Sequence, residues 1–468
     1  MSDAQMQAVP GPMNDRREVF GWVMYDWANS VFSTTVITAL IGPYLTALAQ
    51  AQVGENGVLL DLGLIQVTAI SLFPYSLSLS VLLQVFLLPV LGAIADYTNL
   101  KKRLMMLFCY VGVAATCLLF FISSGMALLG ALLLIVANLS FGAAIVLYNA
   151  YLGEIASEDQ RDKVSSRGFA WGYLGGGLLL LINLIMVQSA GKIPGLTTAL
   201  AVRLSLLSAG LWWGGFALIT FRRLRERGAP RPLPPGQSYW TIGFSEVGHT
   251  FRILRRLPHT LRYLISYLFY NDGIQTVITM SAVFFTQELF VRRGLPTDQS
   301  FLLELVLMVQ FVAFGGALLF EQVARVIGAK NAILISLVIW VGAVIYAYTS
   351  FQTQADAWIL GVAIALVLGG SQALSRSLFS RMIPLGHEAS FFGLYEISER
   401  GTSWIGPALF GAVAQVTRSY REAILSVIVL LVVGGVILAL TNTAQAIRDA
   451  GREEQAEREA AATGIASA

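Results

Sequence analysis

Long apolar runs recur along the whole chain, separated by short polar connectors. A membrane-spanning helix needs about 20 predominantly apolar residues. Twelve runs meet this length, with approximate bounds 20–48, 66–95, 104–123, 126–151, 165–190, 199–221, 262–290, 301–324, 330–350, 357–380, 390–416 and 421–441. Charged residues make up only 13% of the chain, about half the share in soluble domains. The sequence therefore predicts an all-α, multi-pass membrane protein.

One connector divides these runs into two sets of six. Residues 222–261 are rich in arginine, and Pro230, Pro232, Pro234 and Pro235 lie within them. We predict a tail over 1–19, a six-helix half over 20–221, a basic central loop over 222–261, a second half over 262–441, and a tail over 442–468. Lys and Arg concentrate on the side of the termini, which predicts that both termini are cytoplasmic.

The sequence has few features that would bind a soluble partner or a cofactor. It contains no phosphate-binding Gly-rich loop followed by Lys and Ser or Thr, so ATP hydrolysis is not expected. Cys109 and Cys117 lie eight residues apart in one run, too far along a helix for a disulfide. We expect no cofactor, metal site, enzymatic activity or nucleic-acid partner, and a monomer in contact with the lipid bilayer.

Two membrane runs carry matching polar stripes. Polar residues occur at positions i, i+3, i+4 and i+7 of each, so each set shares one helix face. The order is carboxylate, amide, hydroxyl, hydroxyl in both, at a constant offset of 246 residues. The stripes are Asp26, Asn29, Ser30 and Ser33 in the first run, and Asp272, Gln275, Thr276 and Thr279 in the seventh.

This internal repeat predicts two pseudo-symmetric halves, the architecture of major facilitator transporters. A polar stripe must face protein or water rather than lipid, so the two stripes are predicted to line a central cavity. Interhelical hydrogen bonding is the alternative role for the hydroxyl residues. An ionisable residue inside lipid is a candidate functional group, and Asp272, then Asp26 and Glu396, are the candidates for carrying protons.

Further charges are predicted to gate the pathway. In the eleventh run, Glu396, Glu399 and Arg400 form an acidic and basic cluster, which predicts either a gating ion pair or a site for a charged solute. After the second run, Asp96 is followed by Lys101 and Arg103, and we expect the acid to pair with nearby cations and latch the inner gate. The corresponding position of the second half holds Arg325, which leaves a second latch in doubt.

Several segments together resemble the vacuolar amino-acid effluxer-like branch of the major facilitator superfamily, which includes the fungal autophagy-related effluxers and bacterial relatives. The similarity runs from about residue 20 to 440 and is carried by 21–30, 34–36, 148–156, 172–177, 270–273, 370–377 and 391–393. The loop 92–103 resembles the cytoplasmic loop motif of the superfamily. Asn149, inside one matching segment, joins the predicted cavity residues.

The resemblance implies a secondary active transporter, an efflux permease that moves a small solute by alternating access. Neutral amino acids are the implied solute and protons the candidate coupling ion. A drug or sugar exporter of the same fold, or a receptor or assembly factor that does not transport, remains an alternative. We expect a bacterial-type inner or plasma membrane.

Overall fold

The computed structural model describes residues 12–462, except 55–56, 62, 64–65, 70, 99, 227–237, 296–298, 397, 399–404 and 418. Within that part of the chain, ten helices are long and apolar enough to cross a membrane. The predicted seventh run forms a 28-residue helix, Pro258–Phe285, which is not among the ten. The predicted eleventh run forms two shorter helices with undescribed residues between them.

The first half of the sequence forms seven helices among the described residues. They are α1 Arg16–Val31, α2 Ile41–Val53, α3 Leu72–Thr98, α4 Lys101–Leu118, α5 Ala127–Ile155, α6 Arg161–Gln188 and α7 Thr198–Arg223. A π-helical segment, Phe32–Leu40, joins α1 and α2 into one continuous span of 38 residues. A 3-10 turn, Leu119–Phe121, extends α4.

The basic connector, the second half and the C-terminal tail together form ten helices within the same described ranges. They are α8 Tyr239–Arg256, α9 Pro258–Phe285, α10 Gln299–Ile327, α11 Ala329–Thr349, α12 Gln354–Arg381, α13 Glu388–Glu396, α14 Ile405–Thr417, α15 Tyr420–Ser426, α16 Ile428–Leu440 and α17 Thr443–Ala462. A π-helical segment, Thr286–Phe290, and a 3-10 turn, Val291–Arg293, follow α9.

The structure corrects three details of the sequence-based boundaries. The second membrane helix begins at Leu72 rather than 66, because an antiparallel hairpin, β1 Val58–Asp61 and β2 Gln66–Thr68, occupies the preceding residues. The basic connector contains the 18-residue helix α8, which was not predicted because the connector is rich in arginine and proline. The apolar run at 421–441 is divided into α15 and α16.

The chain forms two compact units. The first consists of 1–88, 98–148 and 171–231, and the second consists of 89–97, 149–170 and 232–468. The second unit therefore includes the end of α3, the end of α5 and the start of α6 together with α8 to α17, whereas α7 belongs to the first unit. This division places Asp96 and Asn149 in the same unit as α12 and α13.

Aromatic side chains fill the core of the first unit. Trp22 of α1 stacks on Tyr148 of α5 with ring centroids 4.4 Å apart, and its indole N–H donates to the Tyr148 carbonyl at 2.9 Å. Trp27 stacks on Trp212 of α7 at 5.3 Å. Large rings combine extensive apolar burial with a polar atom that can find a partner, so they fix α1 against α5 and α7.

Small residues let helices of the second unit approach closely. A Cβ on Gly316 of α10 would lie 2.8 Å from the Leu366 Cα of α12, and one on Gly434 of α16 would lie 2.7 Å from the Tyr270 Cβ of α9. Close backbone approach at small residues is the usual packing mode of membrane helices. These contacts position α9 and α12, which carry the charged groups described next.

Candidate functional site

The first polar stripe runs from buried to exposed along α1 and the π-helical segment. Asp26 is buried and accepts a hydrogen bond from the Tyr148 hydroxyl at 2.7 Å. Asn29 is also buried, and its Nδ2 has no hydrogen-bond partner within the described chain. Ser30 is half-buried, and Ser33 is exposed and donates to the Ser30 carbonyl at 2.9 Å. A buried donor without a partner is costly in a protein, which makes the Asn29 amide a candidate ligand-binding group.

The second stripe, on α9, repeats this gradient. Asp272 is 1% exposed, and its Oδ2 accepts from the Gly406 backbone N–H at 2.8 Å. Its Oδ1 is buried and has no partner among the residues described. Thr276 is buried and donates to the Asp272 carbonyl at 2.7 Å, while Gln275 is half-buried and the exposed Thr279 donates to its carbonyl. Each stripe thus holds a buried polar atom that the described residues leave unsatisfied.

A glycine faces each stripe at an equivalent place. A Cβ on Gly172 of α6 would lie 2.6 Å from the Ser30 Oγ and 3.3 Å from the Asp26 carbonyl oxygen. A Cβ on Gly406 of α14 would lie 2.9 Å from the Thr276 Cβ and 3.2 Å from the Asp272 carbonyl oxygen. The pattern of acid, hydroxyl and opposing glycine therefore occurs in each unit, as an internal repeat requires.

Arg376 of α12 is a buried charged residue that was not among the site residues predicted from the sequence. It is 3% exposed and lies about 8 Å along the helix from its end at Arg381. Its Nε donates to the Ser165 Oγ at 2.9 Å, its Nη2 donates to the Ser165 carbonyl at 3.0 Å, and its guanidinium lies 4.2 Å from the Phe169 ring centroid. An arginine within an apolar run was a usable signal, because such residues are functional candidates by default.

Asn149 connects Arg376 to Glu396. Its Oδ1 accepts from the Arg376 Nη1 at 3.3 Å, and its Nδ2 donates to the Glu396 Oε1 at 3.0 Å. All three side chains are buried, and both the positive and the negative charge therefore lie away from water. A buried pair of opposite charges, joined through hydrogen bonds, is tolerated where either charge alone would be very costly.

Tyrosines of α9 form hydrogen bonds with α12 at positions close in the chain to the second stripe and to this cluster. The Tyr270 and Ser375 hydroxyls are 2.7 Å apart, and Tyr263 donates to the Ser375 carbonyl at 2.9 Å. Tyr270 lies two residues before Asp272, and Ser375 directly precedes Arg376. Asp272 and Arg376 are therefore each close in the chain to one partner of the same interhelical hydrogen bond.

A second polar group joins the end of α3 and the start of α6 to α12 and α13. The Asp96 carboxylate accepts from the backbone N–H groups of Ala389 and Ser390, at 3.1 and 2.7 Å, in the first turn of α13. This is the favourable position for an anion at a helix N-terminus. Asp162 pairs with Arg381 and accepts from the Ser377 hydroxyl at 2.5 Å. We refer to these contacts of Asp96 and Asp162 as the latch.

The remaining predicted gating residues have varied positions. Lys101 is buried at the start of α4, while Arg103 is exposed and pairs with Glu226 at 3.1 Å. Arg325 pairs with Glu321, one turn earlier in α10, at 2.6 Å. Glu399 and Arg400 lie outside the described residues. The described part of the chain holds no cluster of His, Cys, Asp and Glu suited to a metal ion.

Comparison with known proteins gives both sequence and fold relatives. A family model described as "Vacuole effluxer Atg22 like" matches residues 14–451. The chain is 34% identical over 420 residues to the uncharacterized MFS-type transporter YxiO of Bacillus subtilis, covering 89% of this chain and 93% of that protein. It is 25% identical over 549 residues to autophagy-related protein 22-2 of Emericella nidulans, covering 93% and 92%.

Solved structures share the fold at low sequence identity. The major facilitator transporter FucP in its outward conformation aligns with a TM-score of 0.65 at 10% identity, over 92% of this chain and 99% of FucP. The human organic anion transporter MFSD10 aligns with a TM-score of 0.66 at 12% identity, over 90% and 99%. These neighbours confirm the predicted fold of twelve helices in two halves, and at such identities they show the fold alone.

Proposed function

The chain belongs to the vacuole effluxer Atg22-like family of major facilitator transporters, and from this premise we propose that it exports neutral amino acids or similar small zwitterions. It is an integral, multi-pass membrane transporter. The relatives described above are transporters rather than enzymes. Alternating access moves the solute, and the proton gradient drives it. The family assignment does not specify the substrate or the coupling ion, and both are proposed from the structure.

The observation that carries the proposal is the buried set of opposite charges in the second unit. A neutral amino acid presents a carboxylate and an ammonium group, so its site needs a cation and an anion within the same low-dielectric region. Arg376 can bind a carboxylate through its planar fork of donors, and Asp272 and Glu396 can accept from an ammonium. A sugar or an apolar drug has no charged group that would pair with a buried cation and a buried anion, and burying those charges is energetically costly.

Asp272 is the proposed coupling residue. Its Oδ2 is held by Gly406, but its buried Oδ1 has no partner in the described structure, and that oxygen is where a proton or a solute ammonium would bind. Competition between the two for one carboxyl oxygen links proton entry to solute release. Asn29 has an unsatisfied amide donor in the other polar stripe, and we propose that it donates to an oxygen of the solute.

The latch is proposed to close the cytoplasmic side in alternation with solute release. Asp96, Asp162 and Asn149 come from the first half of the sequence, and their partners lie on α12 and α13 from the second half. Separating these helix ends breaks every one of these bonds together, which makes the closed state a discrete one. The buried Arg376 cluster forms the layer of this closure nearest the solute.

The membrane and the orientation are part of the proposal. The excess of Lys and Arg on the side of the basic connector supports cytoplasmic termini. The greater similarity to the Bacillus relative than to the fungal one supports a bacterial-type plasma membrane, while the family description names a vacuole.

Flux in proteoliposomes tests this proposal. We expect uptake of labelled neutral amino acids to be driven by a proton gradient, and the corresponding amino-acid amides, which lack the carboxylate, to be transported at least ten-fold more slowly. Arg376→Gln should abolish this discrimination if Arg376 binds the carboxylate. Arg376→Lys keeps the charge and should retain part of it.

Two results would contradict the proposal. Gradient-driven flux of a sugar or a cationic drug, with none of any amino acid, would overturn the substrate class and leave the transporter fold intact. Equal loss of acid and amide transport in Arg376→Gln, with unchanged preference in the residual activity, would assign Arg376 to the closure of the cytoplasmic side alone.

A further inference from the structure

Helix α8 adjoins the ends of two membrane helices, α9 and α3. It ends at Arg256, and only Leu257 separates it from the membrane helix α9, which begins at Pro258. Near its other end, Gly243 packs on α3, where an added Cβ would lie 2.7 Å from the Val90 Cγ1 and 3.0 Å from the Ile94 Cγ1. Val90 and Ile94 are about 12 and 6 Å along the axis from the end of α3 at Thr98. Both ends of α8 are therefore held close to the ends of membrane helices.

One face of α8 is packed against the protein, and the opposite face is not. Ile242, Ile253 and Leu254 are buried. Phe244 is 65% exposed and Phe251 is 50% exposed, and they lie seven residues apart on one face. A helix of this kind that does not span the bilayer buries its apolar face at the boundary of headgroups and acyl chains.

Arginines flank the exposed rings. Arg255 lies four residues after Phe251 on the same face, and Arg252 lies beside it; both are exposed. Arg256 has its partner within the protein, since it pairs with Glu453 of α17 at 3.1 Å. Arg252 and Arg255 are thus exposed positive charges beside the two exposed rings.

We propose that α8 is an interfacial helix that binds anionic phospholipid. Phe244 and Phe251 insert at the boundary of the acyl chains, and Arg252 and Arg255 bind the lipid phosphates of the leaflet on the side of the basic connector. A protein partner fits less well, because a stable interface buries roughly 800 Å² on each side, much more than two rings and two guanidinium groups offer. This inference is independent of the transported solute.

Nitroxide spin labels measure the depth of this face directly. Phe244→Cys and Phe251→Cys are labelled in a background carrying Cys109→Ala and Cys117→Ala, with Ser245→Cys as the control on another face of α8. Each protein is reconstituted in phosphatidylcholine vesicles and in vesicles with one-third phosphatidylglycerol. Collision with oxygen reports acyl chains, and collision with a water-soluble nickel chelate reports water. Circular dichroism and a single gel-filtration peak establish that each variant is folded.

We expect labels at 244 and 251 to be several-fold more accessible to oxygen than to nickel, with the reverse at 245. Phosphatidylglycerol should increase the depth at 244 and 251. Arg252→Gln with Arg255→Gln should remove this lipid dependence, since each arginine contributes roughly a five-fold preference for anionic surfaces. Nickel accessibility at 244 and 251 equal to that at 245 would overturn the proposal. Shielding from both reagents would also overturn it, because a protein surface would then cover the face.

Discussion

The backbone N–H of Gly406 donates a hydrogen bond to the Oδ2 of Asp272 at 2.8 Å, and the Oδ1 of the same carboxyl group is left buried without a partner in the described chain. One oxygen therefore holds α9 to α14, while the other forms no hydrogen bond within the described residues. Because only one of the two oxygens is hydrogen-bonded, substitutions can test the structural role of Asp272 separately from its proposed role in transport.

Asp272→Asn should remove proton coupling and leave the fold intact. The amide oxygen can still accept from Gly406, and the variant should melt within a few degrees of the wild type. Gradient-driven uptake should fall to the level of empty liposomes. Asp272→Leu is the matched variant that also loses the Gly406 bond, and it should be destabilised by about 1–3 kcal/mol. Full pH-dependent uptake by Asp272→Asn would remove this residue from the coupling path.

The two glycines that oppose the stripes should respond differently to alanine. In Gly172→Ala the nearest obstacle is the Ser30 hydroxyl, and the added Ser30→Ala substitution removes it, so the double variant should recover most of the lost thermal stability. In Gly406→Ala the Thr276 Cβ remains 2.9 Å away after Thr276→Ala, so rescue should fail. Overpacking of this kind costs about 1–3 kcal/mol. Equal rescue at both sites, measured by melting in detergent, would contradict the close approach of Gly406 to α9.

The Asn149 bridge should show strong energetic coupling to Glu396. A double-mutant cycle of Asn149→Ala and Glu396→Gln is expected to give an interaction energy of about 1–3 kcal/mol, because both groups are buried and hydrogen-bonded. The matched control is the exposed Arg103–Glu226 pair, whose cycle should give less than about 1 kcal/mol. If the two cycles agree, the buried bridge has no special role in stability.

Loss of the Asp96 contacts should open the latch. Asp96→Ala removes both acceptors for the N–H groups of Ala389 and Ser390, at a cost of about 1 kcal/mol for such a cap. In a background without Cys109 and Cys117, a reporter cysteine at the buried Ala373 should then react with N-ethylmaleimide roughly five-fold faster. Asp96→Asn should have an intermediate effect. An unchanged labelling rate in Asp96→Ala would show that these bonds do not hold the closed state.

The repeated stripes were predictable because their spacing is local. Positions i, i+3, i+4 and i+7 fix one helix face, and the structure gives the same burial gradient from Asp26 to Ser33 and from Asp272 to Thr279. The twelve-helix fold was predictable for a similar reason, since lipid requires long apolar runs.

Other features depend on contacts that a sequence does not display. Arg376 meets Asn149 and Ser165, which lie 227 and 211 residues away. Asp96 accepts from backbone N–H groups, and such donors have no residue-type signature. Helix α8 was not predicted because the connector as a whole is rich in arginine and proline, and its packing on α3 shows which face is buried.

Arg325 and Glu321 pair within the single helix α10, whereas Asp96 joins α3 to α13. The first pair therefore contributes nothing to holding two helices together, and the closure built on Asp96 has no symmetric counterpart at this position. If the Asp96 contacts close the pathway as proposed, this closure would also prevent leakage of the ion gradient at rest. Each 1.4 kcal/mol removed from it raises the open fraction about ten-fold. A cell carrying a weakened Asp96 contact would consequently lose energy continuously, even with no solute to export.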